Sequence, residues 1–227
     1  AVVGSRGERN KAAMWRRGLK GGVSGQGSGT NMVRNYLLAK GGLKPTDVSI
    51  VGIGAGAGVI AAVEQGRVDV ISQTDPAVTI LEKEGKVKVI AETRTPEGTE
   101  KLFGGPMPAA SLYSPVDFVK KNPNTVQALT NAMVRALLWL QDASPQQVLA
   151  TVPEDYLLGN KAMYLFAFNN VKTAYSKDGL MSEAGAKTTL KALASFNPKL
   201  EPAKINLAET YTNEFAKKAL AKYGKKK

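Results

Sequence analysis

Between residues 21 and 93 short apolar runs alternate with longer stretches in which apolar residues recur at helical spacing. The runs Gly21–Ser24, Val48–Ile53 (VSIVGI), Val68–Ser72 (VDVIS) and Val87–Ala91 (VKVIA) are short and rich in β-branched residues, which predicts strands. After the first run, Met32, Val33, Tyr36 and Leu37 share one helical face, and Gly41 is the stop signal. Helices are also predicted over Val59–Gln65, stopped by Gly66, and over Ala77–Lys83, ending at Gly85. For the latter, Asp75 is the expected N-cap and Pro76 the first helical residue. Strand–helix alternation with short turns predicts an α/β fold whose parallel sheet is covered on both faces. Right-handed crossovers place the strand C-termini on one edge, so the turns at 25–31, 54–58 and 73–75 should line one crevice.

The pattern changes after residue 94. Thr95–Pro108, rich in Gly and Pro, predicts an irregular crossover, and Ala109–Tyr113 (AASLY) a fifth strand. Ser114-Pro115 opens a helix that Asn122-Pro123 breaks. The spacing over Asn124–Gln141 predicts a long, mostly buried helix with Trp139 in the core. Further helices are expected from Ser144-Pro145, over Lys161–Tyr175, Ser182–Ser195 and Thr212–Tyr223, with Thr151–Asn160 as a connector. Tyr164, Phe166 and Phe168 suit a packed helical layer better than a ligand platform. Residues 1–20 show no clear period beyond a short helix near Lys11–Arg17. The division expected is therefore an atypical segment 1–20, an α/β lobe 21–103 carrying the crevice turns, and a returning strand with a helical part over 104–227.

The turn with the richest chemistry is the first, Gly25-Gln26-Gly27-Ser28-Gly29-Thr30-Asn31. Its glycines allow a sharp bend, and Ser28, Thr30 and Asn31 are all residues that cap helices. Unpaired amides at a helix start, together with the helix dipole, favour an anion there. The candidate ligand-binding residues are Ser28, Gly29, Thr30 and Asn31, joined by Gly54, Ala55 and Gly56 from the second turn and Thr74 and Asp75 from the third. An ordinary capped strand-to-helix turn would use the same residues without a ligand. Gly52–Gly58 (GIGAGAG) matches the dinucleotide fingerprint poorly, because its glycines recur at every second position.

Composition narrows the chemistry. The chain has 227 residues, 43% hydrophobic and 22% charged, which suits one large globular domain or two small ones. No apolar run is long enough to cross a membrane, and no signal peptide is recognisable. There is no cysteine and no histidine, so thiolate or imidazole metal sites and Ser-His-Asp or Cys-His catalysis are excluded. No catalytic residue and no cofactor is expected. The net charge of +12 raises nucleic acid as a partner. Its excess lies at the ends, in Arg6, Arg9, Lys11, Arg16, Arg17 and Lys20 and in the Lys225-Lys226-Lys227 tail, and no basic stripe interleaved with aromatics is present. A diffuse positive field favours small anions or an acidic surface.

The blocks GSGTNM, NYLLAKGGLKPTDVSIVGIGAGAG, AAVEQGRVDVISQTDPAVT, GGPMPAASLYSPVDFVKKNPNTVQAL and YTNEFAKKAL together resemble the solute-binding proteins of bacterial ABC importers. The branch resembled is the nitrate, taurine and aliphatic-sulfonate one, with its thiamine-pyrimidine-type relatives. The likeness runs over about residues 18–223. It implies a type II periplasmic binding fold, two lobes closing on a small solute, a permease in the inner membrane as partner, and a periplasmic or lipid-anchored extracytoplasmic location. It implies neither catalysis nor a cofactor. The turn Ser28–Asn31 matches the segment that meets the ligand's anionic group, and Gly54–Gly56 and Thr74-Asp75 match the next two turns. Against the family pattern an N-terminal half-lobe is missing, so the expectation is a chain lacking that part, with a dimer or a separate segment covering the apolar surface left behind. Two other functions stay open at this point: a metabolic enzyme of the thiamine-pyrimidine type, and a basic nucleic-acid binder.

Overall fold

Short apolar runs joined by tight turns to helices build the centre of the molecule. A computed structural model describes residues 1–5 and 18–224. Five strands form one sheet: β1 (Val2–Ser5), β2 (Lys20–Val23), β3 (Ser49–Gly52), β4 (Val70–Ser72) and β5 (Val87–Ala91), in the order β3-β2-β4-β1-β5. β2 is parallel to β3 and to β4, as the strand–helix alternation predicts. β1 lies between β4 and β5 and is antiparallel to both, so the sheet is mixed. This strand lies in the segment 1–20, where the sequence shows no clear period beyond a short helix. Val2 and Val3 are fully buried on opposite faces, but four residues give no usable period. The expected helix near Lys11–Arg17 lies outside the described residues.

Helices cover both faces. On one, α1 (Gly29–Lys40) brings Leu38 against Val2, Val48, Val70 and Ala91. On the other, α2 (Ala57–Glu64) and α3 (Ala77–Lys83) bring Val59, Ala62, Val78 and Leu81 against Val3, Val68, Ile71 and Val87. Burial of each such aliphatic side chain contributes about 1.5–3 kcal/mol. α3 has the expected span, but Pro76 rather than Asp75 takes the N-cap position. Asp75 still serves the helix start, because Oδ1 accepts from the amide of Thr79 at 3.0 Å.

Two expectations for 95–113 are overturned. Pro96–Phe103 is a helix, α4, capped by the Thr95 hydroxyl accepting from the Gly98 amide and ended by Gly104 in the left-handed region. The Gly and Pro content that suggested a crossover is N1-proline and C-terminal-glycine punctuation. Ala109–Tyr113 is exposed and forms no strand. Its alternation of small and apolar residues is β-like, yet none of the described strands pairs with it.

The remainder is helical: α5 (Val116–Lys121), α6 (Pro123–Asp142), α7 (Pro145–Thr151), α8 (Glu154–Leu157), α9 (Lys161–Val171), α10 (Glu183–Ala194) and α11 (Glu214–Tyr223). α6 is far less buried than its pattern predicts. Val134 is its one fully buried residue, Leu129 and Met133 are half exposed, and Trp139 is 37% exposed rather than in a core. α6 packs on α11 through Val134, Leu138, Ala216, Ala219 and Leu220. Phe168 of α9 packs with Ala143 and Val148 as expected for a helical layer, whereas Phe166 stays 41% exposed. α10 meets the α/β unit through Tyr36, Phe103 and Ala192, with the Tyr36 and Phe103 rings 4.7 Å apart.

Candidate functional site

The strand order decides which turns meet. Because β2 sits between β3 and β4 and parallel to both, the three strands release their turns on the same edge. The amide of Ile53 donates to the Val23 carbonyl at 2.9 Å, tying the second turn to the first. The side-chain amide of Gln73 donates to the Gly54 carbonyl at 2.8 Å, tying the third to the second. The three turns that carry the nine candidate residues therefore lie side by side on a single edge. Gly29, Gly54, Ala55 and Thr74 are exposed there.

In the first turn the polar side chains are engaged with one another. The Ser28 hydroxyl accepts from the Asn31 amide at 3.2 Å and donates to the Gly25 carbonyl at 2.7 Å. The Thr30 hydroxyl lies 2.9 Å from those of Ser24 and Ser28 and accepts from the Ser24 amide at 3.0 Å. The Asn31 side-chain oxygen accepts from the Gly27 amide at 3.1 Å, holding Gly27 at a left-handed φ of 75°. Asn31 is 6% exposed, and its Nδ2 is buried with no hydrogen-bond partner among the described residues. The first amides of α1 have no carbonyl one turn earlier to bond. The turn is thus a tightly capped helix start at the positive end of α1, with no acidic residue in the first helical turn to oppose an anion.

Gly54 and Gly56 have φ of 67° and 66°, so the second turn needs glycine at both positions. Leu158, just after α8, lies over this turn, with its Cδ2 3.6 Å from where a Cβ on Gly56 would stand. In the third turn Asp75 takes hydrogen bonds on Oδ1 from both the amide and the hydroxyl of Thr79, while Oδ2 is buried without a partner among the described residues. Tyr175, beyond α9, faces this carboxylate. Burial, and then the Asp75 charge, push its phenol above the usual range. Burial chiefly, with Tyr175 second, does the same to Tyr164. Gln73, Thr79, Leu158, Asn170 and Tyr175 were not among the candidates. The sequence holds no local signal for the last three, since they reach this edge only through the packing of the helical part. A concavity lined by Val63, Glu64, Gly66, Asp69 and Lys86 lies at the opposite, strand-start edge, away from these turns. Among the described residues there is no group of three His, Cys, Asp or Glu that could hold a metal, and no helix long and apolar enough to cross a membrane.

Comparison with known proteins adds the family. The model of the NMT1-like family matches residues 5–153, well over half of the chain. The chain belongs to the NMT1-like family. No curated protein matches it. A solved protein of Bordetella bronchiseptica RB50 is 47% identical with a TM-score of 0.94, over 99% of this chain and 71% of that one. The periplasmic sulfonate-binding protein SsuA of Methylobacillus flagellatus KT superposes with a TM-score of 0.57 at 21% identity, over 97% of this chain and 65% of that one. The periplasmic aliphatic sulphonate binding protein SsuA of Escherichia coli gives 0.55 at 17%, over 85% and 58%. The NMT1-like chain thus has the α/β, type II periplasmic-binding-protein-like fold that its blocks resemble, and it spans between 58% and 71% of the length of these proteins.

Proposed function

We propose that this chain binds a small anionic or polar solute, of the sulfonate, nitrate or pyrimidine kind, at the strand-end edge of its sheet and delivers it to an ABC permease. The observation that carries the reading is the meeting of three turns on one edge, fastened by the Ile53–Val23 and Gln73–Gly54 hydrogen bonds. In this reading the Ser28–Asn31 turn holds the anionic group at the start of α1. Gly54, Ala55 and Gly56 let the solute approach the backbone, and Thr74 and Asp75 supply polar contacts from the third turn. Tyr175 and Leu158 close the crevice from the helical part. Neither catalysis nor a cofactor enters. The fold likeness to two SsuA proteins supports a solute receptor working outside the cytoplasm, at the periplasmic face of the membrane that holds the permease.

Thermal unfolding in the presence of nitrate, taurine, methanesulfonate and an aminopyrimidine tests this directly. A ligand at one hundred times its Kd stabilises the folded state by about 2.7 kcal/mol, a shift of several degrees. The expected outcome is a saturable shift with at least one of these compounds that disappears in Ser28→Gly. A folded protein that ignores all four would remove the reading.

A further inference from the structure

Helix α9 touches α3 in a different way from the contact that α10 makes with the α/β unit. α10 is attached to that unit by an apolar cluster, Tyr36, Phe103 and Ala192, backed by Met107 and Phe196. That attachment is close: a Cβ on Gly105 would stand 2.4 Å from the Thr188 hydroxyl, and one on Gly185 would stand 2.7 Å from Pro108. No hydrophobic cluster of the described residues joins α3 to α9. Their contacts are polar: Asn170 Nδ2 to the Thr79 hydroxyl at 3.3 Å, and the Lys83 ammonium 3.9 Å from the centre of the Phe166 ring. Between them runs a groove lined by Glu82, Lys83, Glu92, Arg94, Phe166 and Asn170.

Thr79 is the joint of this contact. It is 1% exposed, and its hydroxyl is fully used. The proton goes to Asp75 Oδ1, and the two lone pairs accept from Arg94 Nη1 and Asn170 Nδ2, each at 3.3 Å. Arg94 is held independently by Glu92 at 2.6 Å and Glu82 at 3.0 Å. Of the three partners of Thr79, two belong to the α/β unit, and only Asn170 belongs to α9. Withdrawal of α9 from α3 breaks one neutral hydrogen bond and one cation–π contact, and it divides no apolar cluster of the described residues. Withdrawal of α10 would open an apolar cluster.

We propose that Thr79 is a positioning residue that sets the Asp75 carboxylate of the crevice and latches it to α9, so that the helical part swings on its α10 anchor and closes on the α3–α9 contact. Closure and the posture of Asp75 are then one event, because a single hydroxyl serves both. The part of this that concerns a bound solute rests on the function proposed above. The latch itself does not.

The absence of cysteine gives a clean background for labelling. Glu84→Cys and Lys161→Cys, both at exposed positions, carry a donor and an acceptor dye on opposite sides of the groove. The distance distribution is measured first without ligand. Thr79→Val, Asn170→Leu and Lys83→Met, each shown to be folded by circular dichroism, are expected to raise the open population about three- to tenfold. Thr79→Ser keeps the hydroxyl and restores the parent distribution. Asp75→Asn, which weakens the partner of the Thr79 proton, shifts it in the same direction as Thr79→Val. Thr79→Val and Asn170→Leu distributions that coincide with the parent's, or a Thr79→Ser variant that behaves as Thr79→Val, would overturn the latch. An unmoved Asp75→Asn distribution would overturn its link to the crevice. Methanesulfonate and nitrate are then titrated into the parent. A parent that ignores both while the ligand-free shifts persist counts against the solute reading and upholds the latch.

Discussion

Gly21 leaves its place to Arg34. The guanidinium is 1% exposed, donates to the Val48 carbonyl at 2.7 Å and to Asn35 at 2.9 Å, and has no carboxylate partner among the described residues. A Cβ on Gly21 would stand 2.8 Å from Arg34 Nε. The Gly21→Ala protein should therefore lose about 1–3 kcal/mol in urea unfolding, as overpacked sites do, although alanine suits a strand better than glycine. Glu92 gives a residue-scale prediction in pH. Burial alone would raise its carboxyl, but hydrogen bonds from the side chain and backbone of Arg94 outweigh that and hold it below the ordinary 4.5. A depressed carboxyl contributes stability above its unfolded value and loses it as pH falls through the folded value. The melting temperature should thus decline below about pH 4.5, and Glu92→Gln should flatten that acid limb. Neither effect was visible in the chain, since Gly21 and Arg34 are thirteen residues apart and Glu92 and Arg94 acquire meaning only beside Glu82 and Thr79.

At the scale of elements, caps decide. Ser28 closes α1, and Thr95 closes α4. Removal of the α1 cap in Ser28→Ala should cost about 1 kcal/mol, whereas Ser28→Gly should cost a few tenths. Both variants lose the hydroxyl, so a solute whose affinity falls equally in the two reports the clamp rather than the helix. Isothermal titration beside denaturant unfolding measures the difference. The same capping rules explain what was legible. Ser28, Ser182 and Ser144-Pro145 announced their helices, and the structure has N-caps at all three. Thr95-Pro96 carries an equally good signal, but Gly98, Gly104 and Gly105 masked it, because a glycine two residues inside a short helix resembles a loop. At Gly98 a Cβ would meet the Glu92 carbonyl at 2.8 Å, so that glycine serves packing against the end of β5.

Across the whole molecule the sheet depends on a strand that enters from far away. β1 stands between β4 and β5, and Val2 and Val3 fill the two cores from its opposite faces. Val2→Ala and Val3→Ala should each cost about 2 kcal/mol, in two different clusters, and their effects should add in the double variant within a few tenths. Equilibrium unfolding checks both statements. Strong coupling would show that the faces share one core. The exposed apolar residues of α5 and α6, among them Val116, Phe118, Leu129 and Met133, explain why a pattern that looked buried is not. Periodicity marks which face of a helix is apolar, and another surface is needed to bury it.

Local order decided much of this protein before any long-range contact formed. Alternating short runs and helical stretches between residues 21 and 93 dictate parallel strands with helices on both faces, and right-handed crossovers then gather the turns of Ser28–Asn31, Gly54–Gly56 and Asp75 on one edge. The reason is that strand pitch, helix pitch and capping act over a few residues and are written in neighbouring side chains. Tertiary structure alone decided that Val2–Ser5 joins the sheet antiparallel, that Ala109–Tyr113 stays out of it, and that Leu158 and Asn170 come to lie against Gly56 and Thr79. Those outcomes compare distant segments competing for the same backbone partners and the same buried area, and no stretch of chain carries that comparison within itself.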